Sequence, residues 1–497
     1  MPPISLAPSL SILVYVFLLV VSNLACVTSI ESSPHTYREI QPDGKTTPPL
    51  KIRGGPQLHY VTDANGYTVI QDDDRWFVYA DEGSDETGRL SSSGMRVGMG
   101  APEKKGIHKG ILPGHSAQVE QCGRLCDLFN DDGIHLRRLS PDQTSTTKEP
   151  ERNLSTPTTG VLKNLVVLMK FSDHQDRIVP SKADVDLLMN APGGDPDLAP
   201  TGSVRDVFAQ ASYDQLVVDS TVYNWVILPN TEQYYADNES AFTDVFVEAL
   251  HDALDIIDSD PAFSFLDFDV NGDGTIDAVT FLHSGYGAEW SGTDCYGNGL
   301  SHRIWSHKWT MPSRFHWYSS NGVRVNKYYV SPAVWGTCGS DIGRIGVIAH
   351  ELGHFLGLPD LYDGKGGEGA GSFDLMGNSW GFDGSQYYPP ILSAWSKIRL
   401  GWASPIMLNV EGQYSLAPWA SSPAVYRIDK GFPEGEYLLI ENRQQLGFDS
   451  QIPQGGLAIW HIDESAPYNN EGHPDQDDWP LNGNHYKVAL LQADGNY

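Results

Sequence analysis

A mixed α/β (α+β) domain, preceded and followed by β-rich segments, is the fold that this 497-residue sequence predicts. Three observations carry it. Two continuous apolar runs, Leu165-Val-Val-Leu-Met169 and Ala278-Val-Thr-Phe-Leu282, have the composition of strands buried on both faces. Between them, Phe242, Val245, Phe246, Ala249, Leu250, Ala253, Leu254 and Ile257 recur at helical spacing, so 241–257 reads as an amphipathic helix. Towards both ends, short alternating segments are punctuated by Gly, Pro and Asp, which is the pattern of strands and turns.

Taken in order, residues 1–29 read as a signal peptide. Ile12 to Val21 is a run of ten apolar residues, short of the about 20 that span a bilayer but suited to a leader core. Cleavage fits after Ala25 or Ser29. Residues 30–159 read as a prodomain and linker, with strand-like segments at Leu58–Val61 and Trp76–Tyr79 and a polar, Ser/Thr/Pro-rich stretch over 140–160 that suits an exposed cleavage site. A central domain over 160–400 follows: the strand at 165–169, a short helix over Ser203–Ala211, strand composition from Leu216 to Leu228, the amphipathic helix, and the strand at 278–282. From 401 to 497, Tyr437–Ile440, Leu457–Trp460 and Val488–Leu491 are short strands and open a β-sandwich that the sequence leaves incomplete.

Charge narrows the function. There are 33 Lys+Arg against 63 Asp+Glu, a net charge of −30. Nucleic acid and anionic membrane surfaces need clustered positive charge, so neither is expected as a partner. The acidity is local: residues 206–302 hold 18 Asp+Glu and no Lys or Arg. The five cysteines are Cys26, Cys122, Cys126, Cys295 and Cys338. Loss of the leader leaves an even set, as in an oxidised, secreted and extracellular protein, and Cys295 with Cys338 is the first choice of pair. Cys122-Gly-Arg-Leu-Cys126 reads as a structural disulfide before it reads as a thiolate that caps a metal.

The chemistry is concentrated at His350-Glu-Leu-Gly-His354. Positions i and i+4 share one helix face, so His350 and His354 can hold one zinc ion, with Glu351 beside it as the base for a water molecule. Gly357 permits a sharp helix end, and Asp360 follows on the returning chain as a third ligand. Asp363 and Glu368 are the competing carboxylates. Three protein ligands leave a coordination position open, which marks a catalytic site. A second metal motif is Asp267-Phe-Asp-Val-Asn-Gly-Asp-Gly-Thr-Ile-Asp277. Its oxygen side chains at Asp267, Asp269, Asn271, Asp273 and Asp277 suit calcium, although Asn-Gly and Asp-Gly are also ordinary turn formers. His283 and His307 read as hydrogen-bonded structural residues, and Trp305, Trp309 and Trp395 as core.

The stretch His350-Glu-Leu-Gly-His-Phe-Leu-Gly-Leu-Pro-Asp-Leu-Tyr-Asp363 resembles the zinc site of metzincin proteases, and within them the immune-inhibitor-A type, where Asp replaces the usual third His. Phe373-Asp-Leu-Met-Gly377 resembles the methionine turn of that group, with Met376 beneath the metal. Ser203-Val-Arg-Asp206, Trp305-Ser-His-Lys-Trp309, Ala394-Trp-Ser-Lys-Ile398 and Trp460-His-Ile-Asp463 resemble further blocks of the family. The position two residues after the turn Met, a Tyr in some metzincins, is Asn378, which leaves Tyr387 or Tyr388 as substitutes. The resemblance implies a metzincin-like zinc protease domain in a secreted zinc endopeptidase, made as a latent precursor and stabilised by calcium. Its partners are then protein or peptide substrates, with no membrane span in the mature chain, which is expected to be monomeric. The alternative is a catalytically inactive, calcium-stabilised secreted binding or adhesion protein.

Overall fold

The computed structural model describes residues 27–56, 58–84, 89–113, 156–290, 292–363, 369–466 and 485–491. The apolar leader run, Cys26, Cys122, Cys126, nearly all of the 140–160 linker and Glu368 lie outside the described residues.

In chain order, β1 (Val27–Ser29) is followed by an antiparallel meander of β2 (Leu50–Gly54), β3 (His59–Asp63), β4 (Thr68–Gln71), β5 (Phe77–Ser84) and β6 (Leu90–Arg96). Leu50, Val69, Tyr79 and Met95 form its small core. The central unit holds β7 (Gly160–Lys170), α1 (Lys182–Asn190), α2 (Val204–Ala211), β8 (Leu216–Val222), β9 (Val226–Ile227), α3 (Glu232–Ala236), α4 (Val245–Asp258), β10 (Ala278–His283), β11 (His307–Thr310), β12 (Trp317–Tyr318), β13 (Arg324–Val325), β14 (Lys327–Pro332), α5 (Ile345–Phe355) and α6 (Ala394–Arg399). Then come β15 (Pro405–Met407), β16 (Val425–Ile428), β17 (Glu436–Arg443), β18 (Gly456–Asp463) and β19 (Val488–Leu490), which pair in sequence order into a third sheet.

The central sheet runs β1-β11-β14-β10-β7-β8, with β9 also on β7. Strands β8, β7, β10 and β14 are parallel, and β11 is antiparallel to β14. Parallel strands are covered on both faces, so their sequences run apolar without alternation. Leu165 to Met169 in β7 are all fully buried, as that run predicts. One face packs on α4 through Phe246, Leu250 and Leu254. The other packs on α1, α2 and α5, and its core continues into Leu439, Trp460 and Ile462 of the third sheet. Helix α5 is thus covered along its length, and all eleven of its residues are buried.

Three local features differ from the sequence reading. The helix predicted over 241–257 starts only at Val245, because Asp237, Asn238, Ser240 and Ala241 take left-handed backbone angles that no helix continues through. Phe242 still packs on the core, but from a turn. Helix α1 has no clear periodic signature because only Val185, Leu188 and Met189 are buried; its start is fixed instead by a capping box of Ser181 and Asp184. Val27–Ser29, read as the end of the leader, pair antiparallel with β11 as the edge strand of the central sheet. Cys295 and Cys338 form a disulfide with Cα atoms 5.3 Å apart.

Candidate metal centre

Helix α5 carries His350, Glu351 and His354 on its buried body. Its N-terminus is closed from outside the helix. The carbonyl oxygen of Gln386 accepts from the Gly346 amide at 3.2 Å, and its side-chain Oε1 accepts from the Val347 amide at 3.2 Å. At the other end the chain reverses through Gly357, whose φ of 91° is left-handed. The reversal brings Asp360 back over the histidines.

The three side chains converge. His350 Nε2 lies 3.1 Å from Asp360 Oδ1 and 3.1 Å from His354 Nε2, and His354 Nε2 lies 3.2 Å from Asp360 Oδ1. Each imidazole is oriented by its other nitrogen. His350 Nδ1 donates to the Leu375 carbonyl at 2.9 Å, and His354 Nδ1 to the Leu358 carbonyl at 2.8 Å. A ring that donates through Nδ1 presents the Nε2 lone pair, which is how metal-bound imidazoles are held. Two neutral imidazoles and a carboxylate around one point are a zinc donor set, so the residues present fit that metal. Burial works to raise the Asp360 pKa, but the two rings, where they carry a proton at Nε2, outweigh it and lower it to about 2. Burial keeps His354 below the usual histidine range.

Glu351 is fully buried, and neither carboxylate oxygen has a hydrogen-bond partner among the described residues. Burial first, then the charges of Asp360 and Glu289, push its pKa well above the ordinary value, against the pull of Lys308. An isolated buried carboxylate is costly to ionise, so a cation or a proton must accompany it. Groups with this signature cluster at functional sites.

The turn beneath the site is stitched to it. Asp374 accepts from the Met376 amide at 2.7 Å, from the Ser393 amide at 2.8 Å and from Ser396 Oγ at 2.9 Å. The Leu361 amide donates to the Met376 carbonyl at 2.9 Å, next to Asp360. Met376 is fully buried under α5, so close that a Cβ on Gly353 would meet its sulfur at 2.6 Å. Sequence reasoning finds Met376 but misses Asp374, Gln386 and the two carbonyl acceptors. Asp374 was readable, as an acid next to the turn; a backbone acceptor leaves no mark in the residue types.

The competing residues have other occupations. Asp363 is buried and accepts from Tyr486 Oη at 3.0 Å. Asn378 donates to Ser372 Oγ at 2.9 Å and accepts from the Trp380 amide at 3.0 Å. The Arg344 guanidinium lies over the Tyr387 ring at 4.0 Å. His307 donates from Nδ1 to the Trp305 carbonyl and accepts at Nε2 from Tyr328 Oη, both at 2.8 Å, and is structural, as expected. His283 Nδ1 accepts from the Gly285 amide at 3.2 Å, while its Nε2 is buried without a partner among the described residues. Trp305, Trp309 and Trp395 are buried in the core.

The acidic loop is less convergent. Asp269 accepts from the amides of Asp273 and Gly274 at 3.0 and 2.9 Å, and Asp273 accepts from the Thr275 amide at 2.8 Å. Asn271 accepts from the Asp273 amide at 3.0 Å, and Asp267 stands exposed on the preceding turn. Asp277 is buried with both oxygens unpartnered among the described residues, and burial together with the charges of Asp269 and Asp273 raises its pKa to about 6. Among the described residues, two groups bring three His, Cys, Asp or Glu donors within 4.8 Å of one another: His350, His354 and Asp360, and Glu436, His461 and His485.

Comparison with known proteins agrees with the site. Residues 162–403 match the family model described as the immune inhibitor A peptidase M6 catalytic domain. Over 201 residues the chain is 32% identical to immune inhibitor A of Bacillus thuringiensis subsp. alesti, covering 34% of this chain and 28% of that protein. Over 218 residues it is 28% identical to the pre-pro-metalloprotease PrtV of Vibrio cholerae serotype O1 (strain M66-2), covering 39% of this chain and 23% of that protein. The match therefore spans about a quarter of the length of these relatives. Residues 162–403 are thus similar to the catalytic domain of the immune inhibitor A peptidase family.

Proposed function

We propose that the chain is a secreted zinc-dependent endopeptidase. The observation that carries this reading is the convergence of His350 Nε2, His354 Nε2 and Asp360 Oδ1 within 3.1–3.2 Å beside the buried, unpartnered carboxylate of Glu351. His350, His354 and Asp360 would hold zinc, which would supply Lewis-acid polarisation of the scissile carbonyl and a more acidic water. Glu351, made strongly basic by burial, takes a proton from the attacking water and delivers it to the leaving amine. Leu358 and Leu375 hold the imidazole rings in the orientation the metal needs, and Met376 and Asp374 hold the floor of the site.

Latency is supported by how Ile30 and Gly55 lie. Ile30 packs on Val347 of α5 and on Trp380, and Gly55 sits against the Tyr362 ring, two residues beyond Asp360. Activation then requires that this segment leave. The reading of calcium in the 267–277 loop rests on the Asp277 carboxylate, buried without a hydrogen-bond partner among the described residues, and on the charges of Asp269 and Asp273 that raise its pKa. Secretion is supported by the apolar leader run and the Cys295–Cys338 disulfide. No helix among the described residues is long and apolar enough to cross a membrane.

The test is digestion of an unfolded protein by chain cleaved near residue 155. Internal fragments that vanish with a zinc chelator are expected, and Glu351→Gln should retain zinc while losing at least about 100-fold in rate. Unchanged activity in that variant removes Glu351 from the mechanism. No products from zinc-loaded wild type favour the inactive binding protein.

A further inference from the structure

We propose that Glu436, His461 and His485 form a second site for a zinc-like transition metal, on the third sheet and apart from the first cluster. Glu436 Oε2 lies 3.2 Å from His461 Nε2 and 3.7 Å from His485 Nδ1, and the three donor atoms fall within 4.8 Å of one another. Tetrahedral ligands about 2.0–2.2 Å from a zinc ion stand roughly 3.3–3.6 Å apart. The two distances from Glu436, 3.2 and 3.7 Å, bracket that range, and the third donor pair stays within 4.8 Å.

Strand register explains why these groups meet. Glu436 at the start of β17 pairs directly with Asp463 at the end of β18, and His461 precedes Asp463 by one pleat on the same face. His485 enters from the chain leading into β19, with Nδ1 at 3.3 Å from Asp463 Oδ2. Two carboxylates directly opposite each other repel. A divalent ion bound through the two imidazoles would offset that repulsion. All four side chains are mostly shielded, at 7–26% exposure, which limits competition from water. The next residue, Tyr486, donates to Asp363 at 3.0 Å. A metal holding His485 therefore anchors the segment that supports the turn carrying Asp360.

The experiment uses the full chain with His350→Ala and His354→Ala, so that the first cluster cannot compete. Titration with zinc chloride should show one saturable equivalent, a rise in the unfolding midpoint, and a tetrahedral visible spectrum when cobalt replaces zinc. Adding His461→Gln and His485→Gln should abolish all three. In otherwise wild-type chain, those two substitutions should lower bound zinc from two equivalents to one while leaving the first site loaded. If the first-cluster variant is unfolded by circular dichroism, this wild-type comparison decides. A wild-type chain that saturates with one equivalent, or binding that survives loss of both histidines, overturns the proposal. Failure of the Glu351 variant to lose activity does not touch it, because the readout here is metal content and stability.

Discussion

At the scale of single residues, the site shows how closely the loop over 376–386 is applied to α5. Gly353 lies inside α5, where glycine costs roughly 1 kcal/mol relative to alanine, and Gly346 lies in its first turn. Neither is there for a left-handed angle. A Cβ on Gly346 would collide with the carbonyl oxygen of Ser379 and approach Gln386 Cβ to 2.9 Å, and one on Gly353 would meet the Met376 sulfur. Backbone at that distance cannot swing aside. Gly346→Ala is therefore expected to destabilise by about 1–3 kcal/mol despite the better helix propensity, read as a lower denaturation midpoint with an unchanged denaturant slope. A more stable variant would mean that the loop moves freely. The ligands themselves were legible in the sequence because i and i+4 spacing is a property of residue types. The carbonyls of Leu358 and Leu375 and the cap from Gln386 were not, since which backbone oxygen meets a ring is decided only by the fold.

At the scale of elements, the third sheet is bound to the central unit by charge as well as by apolar contact. Lys397 of α6 donates to Glu441 of β17 at 2.9 Å, and Arg443 reaches Glu441 at 3.2 Å and Asp449 at 2.6 Å. All four side chains are at most 2% exposed. The remaining acceptor capacity is used by Trp460 Nε1 and the Ala394 amide on Glu441. Desolvation would raise the Glu441 pKa, but Lys397 and Arg443 hold it below the ordinary value. Breaking such a network costs about 3–5 kcal/mol because it strands a buried charge. Lys397→Met should fall at the lower end, since Arg443 still faces Glu441. The check is a double-mutant cycle with Glu441→Gln: a coupling near zero would show that the pair acts independently. Strand and helix composition made several elements visible from the sequence, including β7, β10, α2, β17 and β18. Composition alone makes 401–497 a separate β-rich domain. It does not show that Leu439, Trp460 and Ile462 complete the core over α5, because contact between distant segments has no local signature.

At the scale of the whole molecule, two effects oppose each other as pH falls. The net charge of −30 shrinks as carboxylates take up protons, which relieves self-repulsion and favours the compact state. Against this stand buried neutral histidines. Burial lowers the pKa of His59 and His307 to about 4, and that of His283 to about 3. His307 accepts from Tyr328 Oη, a bond that protonation destroys. The folded pKa lies below the unfolded value of 6.5, so the unfolded chain binds more protons between the two and stability falls with falling pH. One such histidine forfeits about 2 kcal/mol between pH 6.5 and pH 5. Three together outweigh the relief of repulsion between surface carboxylates, where individual pairs are worth about 0–1 kcal/mol. Protonation of His354 would release any metal held there, which acts in the same direction. The unfolding midpoint should thus drop steeply between about pH 6.5 and pH 4. The dependence should persist in metal-free protein and become shallower in His307→Phe. If metal-free chain were instead more stable at pH 5 than at pH 7, relief of self-repulsion would outweigh the cost of protonating these rings, and the buried histidines would not be neutral in the folded state.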